Sequence, residues 1–156
     1  MKFDGKTFTH STLEEGYDFI ITDKWKTERH FKISSFPCPG GLLSEALEVV
    51  NNKNAEPYIF SILSQFDTDI EYAELQLKAK IKRGIDKKYL KNLQGHLILG
   101  EDDELFGRID WDSNADDGSM ILVVDGKRLT KDEFWELLKS YEGWQFRMQI
   151  VDRTEE

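Results

Sequence analysis

The chain has 156 residues, a formal net charge of −9, and 39% hydrophobic against 33% charged residues. Its 4 Trp, 5 Tyr and 10 Phe exclude a disordered chain, and its length suits one domain whose core needs no staples. The acidic balance argues against general nucleic-acid binding and against anionic membranes, because counterion release needs clustered cations, and it favours a basic protein as partner.

One cysteine, Cys38, leaves no internal disulfide, and the longest wholly apolar run, Met120–Val124, is far short of a membrane span. The opening Met1-Lys-Phe-Asp-Gly-Lys6 carries charge where a signal peptide needs an apolar stretch. The expected setting is cytoplasmic. Nothing in the sequence sets the oligomeric state.

In chain order, Tyr17–Thr22 and Arg29–Phe36 read as strands, rich in aromatic and β-branched residues, and Pro37-Cys-Pro-Gly-Gly41 breaks the second. Leu42, Leu43, Ala46, Leu47 and Val50 fall on one face of a short helix. Pro57–Phe66 is a mostly apolar run read as a strand, although its length also permits a helix. Asp67-Thr-Asp69 then offers N-cap oxygens for a long helix to about Arg83, Gly84 suits its end, and Ile85–Leu93 resumes helix.

Three strands follow, His96–Leu99, Leu105–Asp112 and Met120–Asp125, with Asp125-Gly126 turning the chain. Thr130 and Glu133 form a capping box for a helix that buries Phe134, Leu137, Leu138 and Tyr141. After Gly143, the apolar Trp144, Phe146, Met148 and Ile150 alternate with Gln145, Arg147, Gln149 and Val151, which predicts a closing strand from Trp144 to Asp152, with the Trp144 and Phe146 rings in the core. The expected fold class is α+β: a single domain over residues 1–156, with a mixed or antiparallel sheet, one long helix and two short ones. Residues 1–56 form a candidate extended lobe.

The segment Val124-Asp-Gly-Lys-Arg-Leu-Thr130, followed by Glu133-Phe134 and Tyr141-Glu-Gly-Trp-Gln-Phe146, resembles the ending of an uncharacterised bacterial family known only as a domain of unknown function. The resemblance extends upstream over about Tyr58–Asp152. It implies bacterial origin and one compact domain, and it carries over no functional residue.

Asp110, Asp112, Asn114 and Asp116 stand at alternate positions, as in the first half of a calcium-binding loop. Ala115 replaces the glycine of the sharp turn and Ile121 the closing bidentate glutamate, so no metal site is assigned, and a solvated acidic hairpin is the preferred reading. Eight acids, Glu101, Asp102, Asp103, Glu104, Asp110, Asp112, Asp116 and Asp117, crowd residues 101–117 with only Arg108 opposing them. Against them, Lys78, Lys80, Lys82, Arg83, Lys87, Lys88 and Lys91 sit on the helical region. Both groups read as solvated faces, or else as surfaces that steer a charged partner: a basic protein at the acidic turns, or a phosphate-bearing ligand at the lysines.

His10, His30, His96 and Cys38 share no ligand spacing, and no cofactor motif is found. The favoured reading is a protein-binding module acting through acidic turns, with Asp102, Asp103, Asp110, Asp112, Asp116 and Asp117 as its contact residues. The alternative is a metal-assisted hydrolase using Asp110, Asp112 and Asp116.

Overall fold

The structure, a computed structural model, describes residues 16–52, 55–113 and 117–155. These fall into two compact units. The first is built from residues up to Val50, Pro57–Asp86 and Ile150 onward, and the second from Asn51–Glu56 and Lys87–Gln149.

In the first unit, β1 (Tyr17–Thr22), β2 (Glu28–Cys38), β3 (Gly41–Glu48) and β4 (Ile59–Ser64) form an antiparallel sheet in chain order, and α1 (Ile70–Ile85) follows. Alternation puts Tyr17, Phe19, Phe31, Ile33 and Ala46 on one face, where Leu77, Ile81 and Ile85 of α1 close the core. That interior also holds polar groups, which are tolerable only because they satisfy one another. Tyr17 Oη donates to Glu74 Oε1 at 3.0 Å, and Ser35 Oγ, 2.8 Å from Ser44 Oγ, donates to Glu74 Oε2 at 2.5 Å. At the sheet's end Arg29 bridges the buried carboxylates of Asp23 (3.3 Å) and Glu48 (3.0 Å). The Asp23 carboxyl is pushed up by burial but held below its usual range by N–H groups of Thr27 and Trp25 and by Arg29.

In the second unit, β5 (Leu90–Leu93) and β6 (His96–Leu99) make a hairpin. Strands β7 (Arg108–Trp111), β8 (Met120–Val124) and β9 (Lys127–Leu129) form a separate antiparallel sheet, and α2 (Lys131–Leu138) runs on into a 3-10 turn at Lys139–Tyr141. Leu90, Val124, Leu129 and Leu137 are its buried core. The capping box is present: Glu133 N donates to Thr130 Oγ1 at 3.2 Å and Thr130 N to Glu133 Oε1 at 2.9 Å.

The fold class is therefore corrected. In place of a single α+β domain with one long and two short helices, the described residues are mostly β, with nine strands in three antiparallel sheets, one helix of 16 residues and one of 8. The predicted helix at Leu42–Val50 is strand β3. Its apolar residues fit both periods, but Leu42, Ser44, Ala46 and Glu48 turn inward at every second position between two strand neighbours. Helix α1 runs through Gly84, where a Cβ would lie 2.4 Å from Phe60 Cε1, so this glycine serves close packing and not helix termination.

The predicted continuation of helix over Ile85–Leu93 gives way to β5, because the Asp125 carboxylate accepts N–H groups from Tyr89 and Leu90 and fixes an extended start there. The predicted closing strand is also corrected: among the described residues the run from Trp144 to Asp152 pairs with no strand, and Trp144, Phe146, Met148 and Ile150 are all exposed.

Candidate functional site

The acidic turn follows β6. Gly100 N donates to Tyr89 O at 2.8 Å and Asp103 N to Gly100 O at 3.2 Å, with Asp103 at φ +50°, so Glu101 to Glu104 project outward from a closed turn. Lys87 reaches Glu104 at 3.0 Å and Asp102 at 3.8 Å, and Lys91 reaches Glu101 at 3.4 Å. Hydrogen bonding to Glu104 raises the Lys87 pKa above its ordinary value. Three of the four carboxylates thus share two ammonium groups, and the turn keeps a net negative charge. The side chains of Glu101 and Asp102 are 87% and 74% exposed, so these pairs are weak and open to exchange.

The end of α2 adds an aromatic component. Tyr141 Oη donates to Asp103 Oδ1 at 2.9 Å, and the Tyr141 ring meets Trp144 edge-on at 5.3 Å between centroids. Burial and then the Asp103 hydrogen bond raise the Tyr141 hydroxyl's pKa, so it stays a donor. The Trp144 side chain is exposed, and the backbone N–H of Trp144 donates to Tyr141 O at 2.9 Å. An open indole is therefore linked to the acidic turn through the Tyr141 ring.

Of the remaining candidate acids, the described Asp110, Asp112 and Asp117 each have a partner of their own. Asp110 pairs with Arg108 at 3.2 Å, while Asp112 is bonded by Arg128, which also faces Glu56 at 3.9 Å. Asp117 accepts Ser119 N at 3.1 Å and the Ser119 hydroxyl, and these bonds, led by the hydroxyl, lower its pKa. Asn114 and Asp116 lie outside the described residues. Among the described residues no group of three or more His, Cys, Asp or Glu side chains stands close enough to hold a metal.

The basic face is also redistributed. Lys78 and Lys80 are buried: Lys80 Nζ donates to the carbonyls of Ser61 (2.8 Å), Arg153 (2.9 Å) and Glu155 (3.0 Å), while Lys78 Nζ sits over the Tyr17 and Phe19 rings. Burial pushes the Lys78 pKa down to about 8, against the opposing charge of Glu74. A phosphate-binding face on α1 loses two of its lysines. Cys38 is half-buried at the end of β2, and His30 bonds Asp18 at 2.9 Å. The Tyr141 contact to Asp103, 38 residues away, left no local signal in the sequence.

No helix among the described residues is long and apolar enough to cross a membrane. No curated protein and no solved structure matches the chain. Residues 14–86 match the family model described as Domain of unknown function (DUF7686), and residues 89–155 match Domain of unknown function (DUF7713). The expected resemblance over about Tyr58–Asp152 thus divides between two family models near residues 86–89, and the chain is similar to two domains of unknown function in succession.

Proposed function

We propose that the protein is an interaction module that binds a basic protein partner through the acidic turn Glu101–Glu104, in a bacterial cytoplasm and without general nucleic-acid or membrane binding. The carrying observation is the Asp103–Tyr141–Trp144 arrangement, in which Tyr141 links an exposed indole to a turn whose carboxylates exceed its lysines. A partner's Arg or Lys meets two attractions there, a carboxylate and an aromatic face. The partner's cations displace Lys87 and Lys91 from exposed pairs of little intrinsic strength. Asp110, Asp112, Asp116 and Asp117 add long-range attraction that steers the encounter.

The test is affinity capture from native lysate with the natural chain and with an Asp102→Asn, Asp103→Asn, Asp116→Asn, Asp117→Asn variant, at low and high salt. A basic protein held in stoichiometric amount by the natural chain, and lost both at high salt and in the variant, supports the reading. An identical set of proteins on both chains overturns it.

A further inference from the structure

The unpaired run Gln145–Gln149 and strand β7 carry matching halves of one strand pairing. Strand β7 is an edge of its sheet among the described residues. Its Ile109 and Trp111, with Met120 opposite Trp111 on β8, continue the face that Leu122, Val124 and Leu129 use for the core, yet all three are exposed, Trp111 to 62%. The run after Trp144 has the alternation of a half-buried strand, yet Phe146 is 88% exposed and Met148 69%.

We propose that this run adds as an antiparallel strand to the β7 edge of a second copy of the chain, and receives that copy's run in return. One register fits both faces: Phe146 opposite Trp111, Met148 opposite Ile109, and Arg147 opposite Asp110. It places apolar side chains together on one face, and on the other it sets the Arg147 cation beside Asp110, whose side chain is 40% exposed. A slip by one residue would set Arg147 among the apolar side chains. The reciprocal exchange is closed by a twofold axis, so it ends at a dimer and does not grow into a fibre. Five large apolar side chains covered on each copy remove on the order of 1,000 Å² over both, which meets the lower bound for a biological interface. Charged Arg108 and Asp110 on the exposed β7 edge restrict pairing by other strands.

The pairing begins beyond Trp144 and stands independently of the acidic-turn reading. Sedimentation equilibrium of the full chain is the test, with Phe146→Glu and Met148→Pro as variants, since Asp112 N bonds Ser119 O on β8, which leaves the N–H and C=O of Ile109 and Trp111 facing outward, and proline at Met148 removes an N–H that this register directs at Ile109. The natural chain is expected at twice 18.2 kDa, both variants at 18.2 kDa, and Phe146→Leu again at the dimer mass. A natural chain monomeric at all concentrations, or variants that stay dimeric, overturns the proposal. In a Cys38→Ser background, an Ile109→Cys chain mixed with a Met148→Cys chain is expected to form a disulfide between chains. Cross-linking within a single Ile109→Cys, Met148→Cys chain, or between two Met148→Cys chains, would assign the run to its own edge or to a copy of itself and overturn the exchange. A monomer that still captures a basic partner overturns the exchange alone.

Discussion

The Asp125 carboxylate accepts the N–H of Tyr89 at 2.9 and 3.1 Å and that of Leu90 at 2.9 Å, tying the β8–β9 turn to the entrance of β5. Asp125 itself has φ +56° and Gly126 φ +74°, so the turn and the tie share one residue. Asp125→Ala removes a charged acceptor from two backbone donors and strains the turn, and it is expected to destabilise the protein by about 2–3 kcal/mol. Urea unfolding measures it; a loss under about 0.5 kcal/mol, the usual surface value, would show that the tie is dispensable.

Gly84→Ala reverses the usual helix rule. In an exposed helix interior the change gains about 0.5–1 kcal/mol, but here the new methyl meets the Phe60 ring, and overpacking costs about 1–3 kcal/mol. A net loss is expected, and it should shrink when Phe60→Leu makes room. Equal effects of Gly84→Ala in both backgrounds would contradict the packing role.

Leu137 and Trp144 separate core from surface within the second unit. Leu137→Ala is expected to cost about 2–5 kcal/mol, because Leu137 is buried against Leu129 and Val124. Trp144→Ala is expected to change stability by less than about 0.5 kcal/mol and to weaken partner capture. A loss of several kcal/mol on removing Trp144 would place the indole in a core.

Lys78 makes stability depend on alkaline pH. Its folded-state pKa lies at about 8, below an unfolded value of about 10.4, so the unfolded chain binds more protons between those values. The penalty for burying the charged amine is full below about pH 8 and fades as pH rises to about 10.4, so this group's contribution becomes more favourable as pH rises. Thermal unfolding should therefore show the natural chain gaining stability relative to Lys78→Met across that window. A constant difference between the two chains would contradict a depressed pKa.

Local chemistry was legible where it decided the outcome by itself. The Thr130–Glu133 box, the Asp125-Gly126 turn and the aromatic and β-branched content of Tyr17–Thr22 needed no distant partner. Leu42–Val50 was not legible, because apolar spacing fits helix and strand equally and only strands β2 and β4 choose between them. The break at Tyr89 depends on Asp125, and the burial of Lys78 and Lys80 depends on what α1 faces, so neither shows in a window of neighbours. The acidic crowding over Glu101–Asp117 was visible as charge, whereas its dispersal onto Lys87, Lys91, Arg108 and Arg128 is a tertiary property.

The most direct measurement of the acidic turn as contact surface is the association rate of the captured basic partner as a function of salt. The rate is compared between the natural chain and the chain with Asp102, Asp103, Asp116 and Asp117 changed to Asn. Steering by these carboxylates predicts a rate that falls steeply with salt for the natural chain, and a slower, flatter dependence for the variant, with the two converging at high salt. Equal rates and equal salt slopes for both chains would contradict it and remove the acidic turn from the interface.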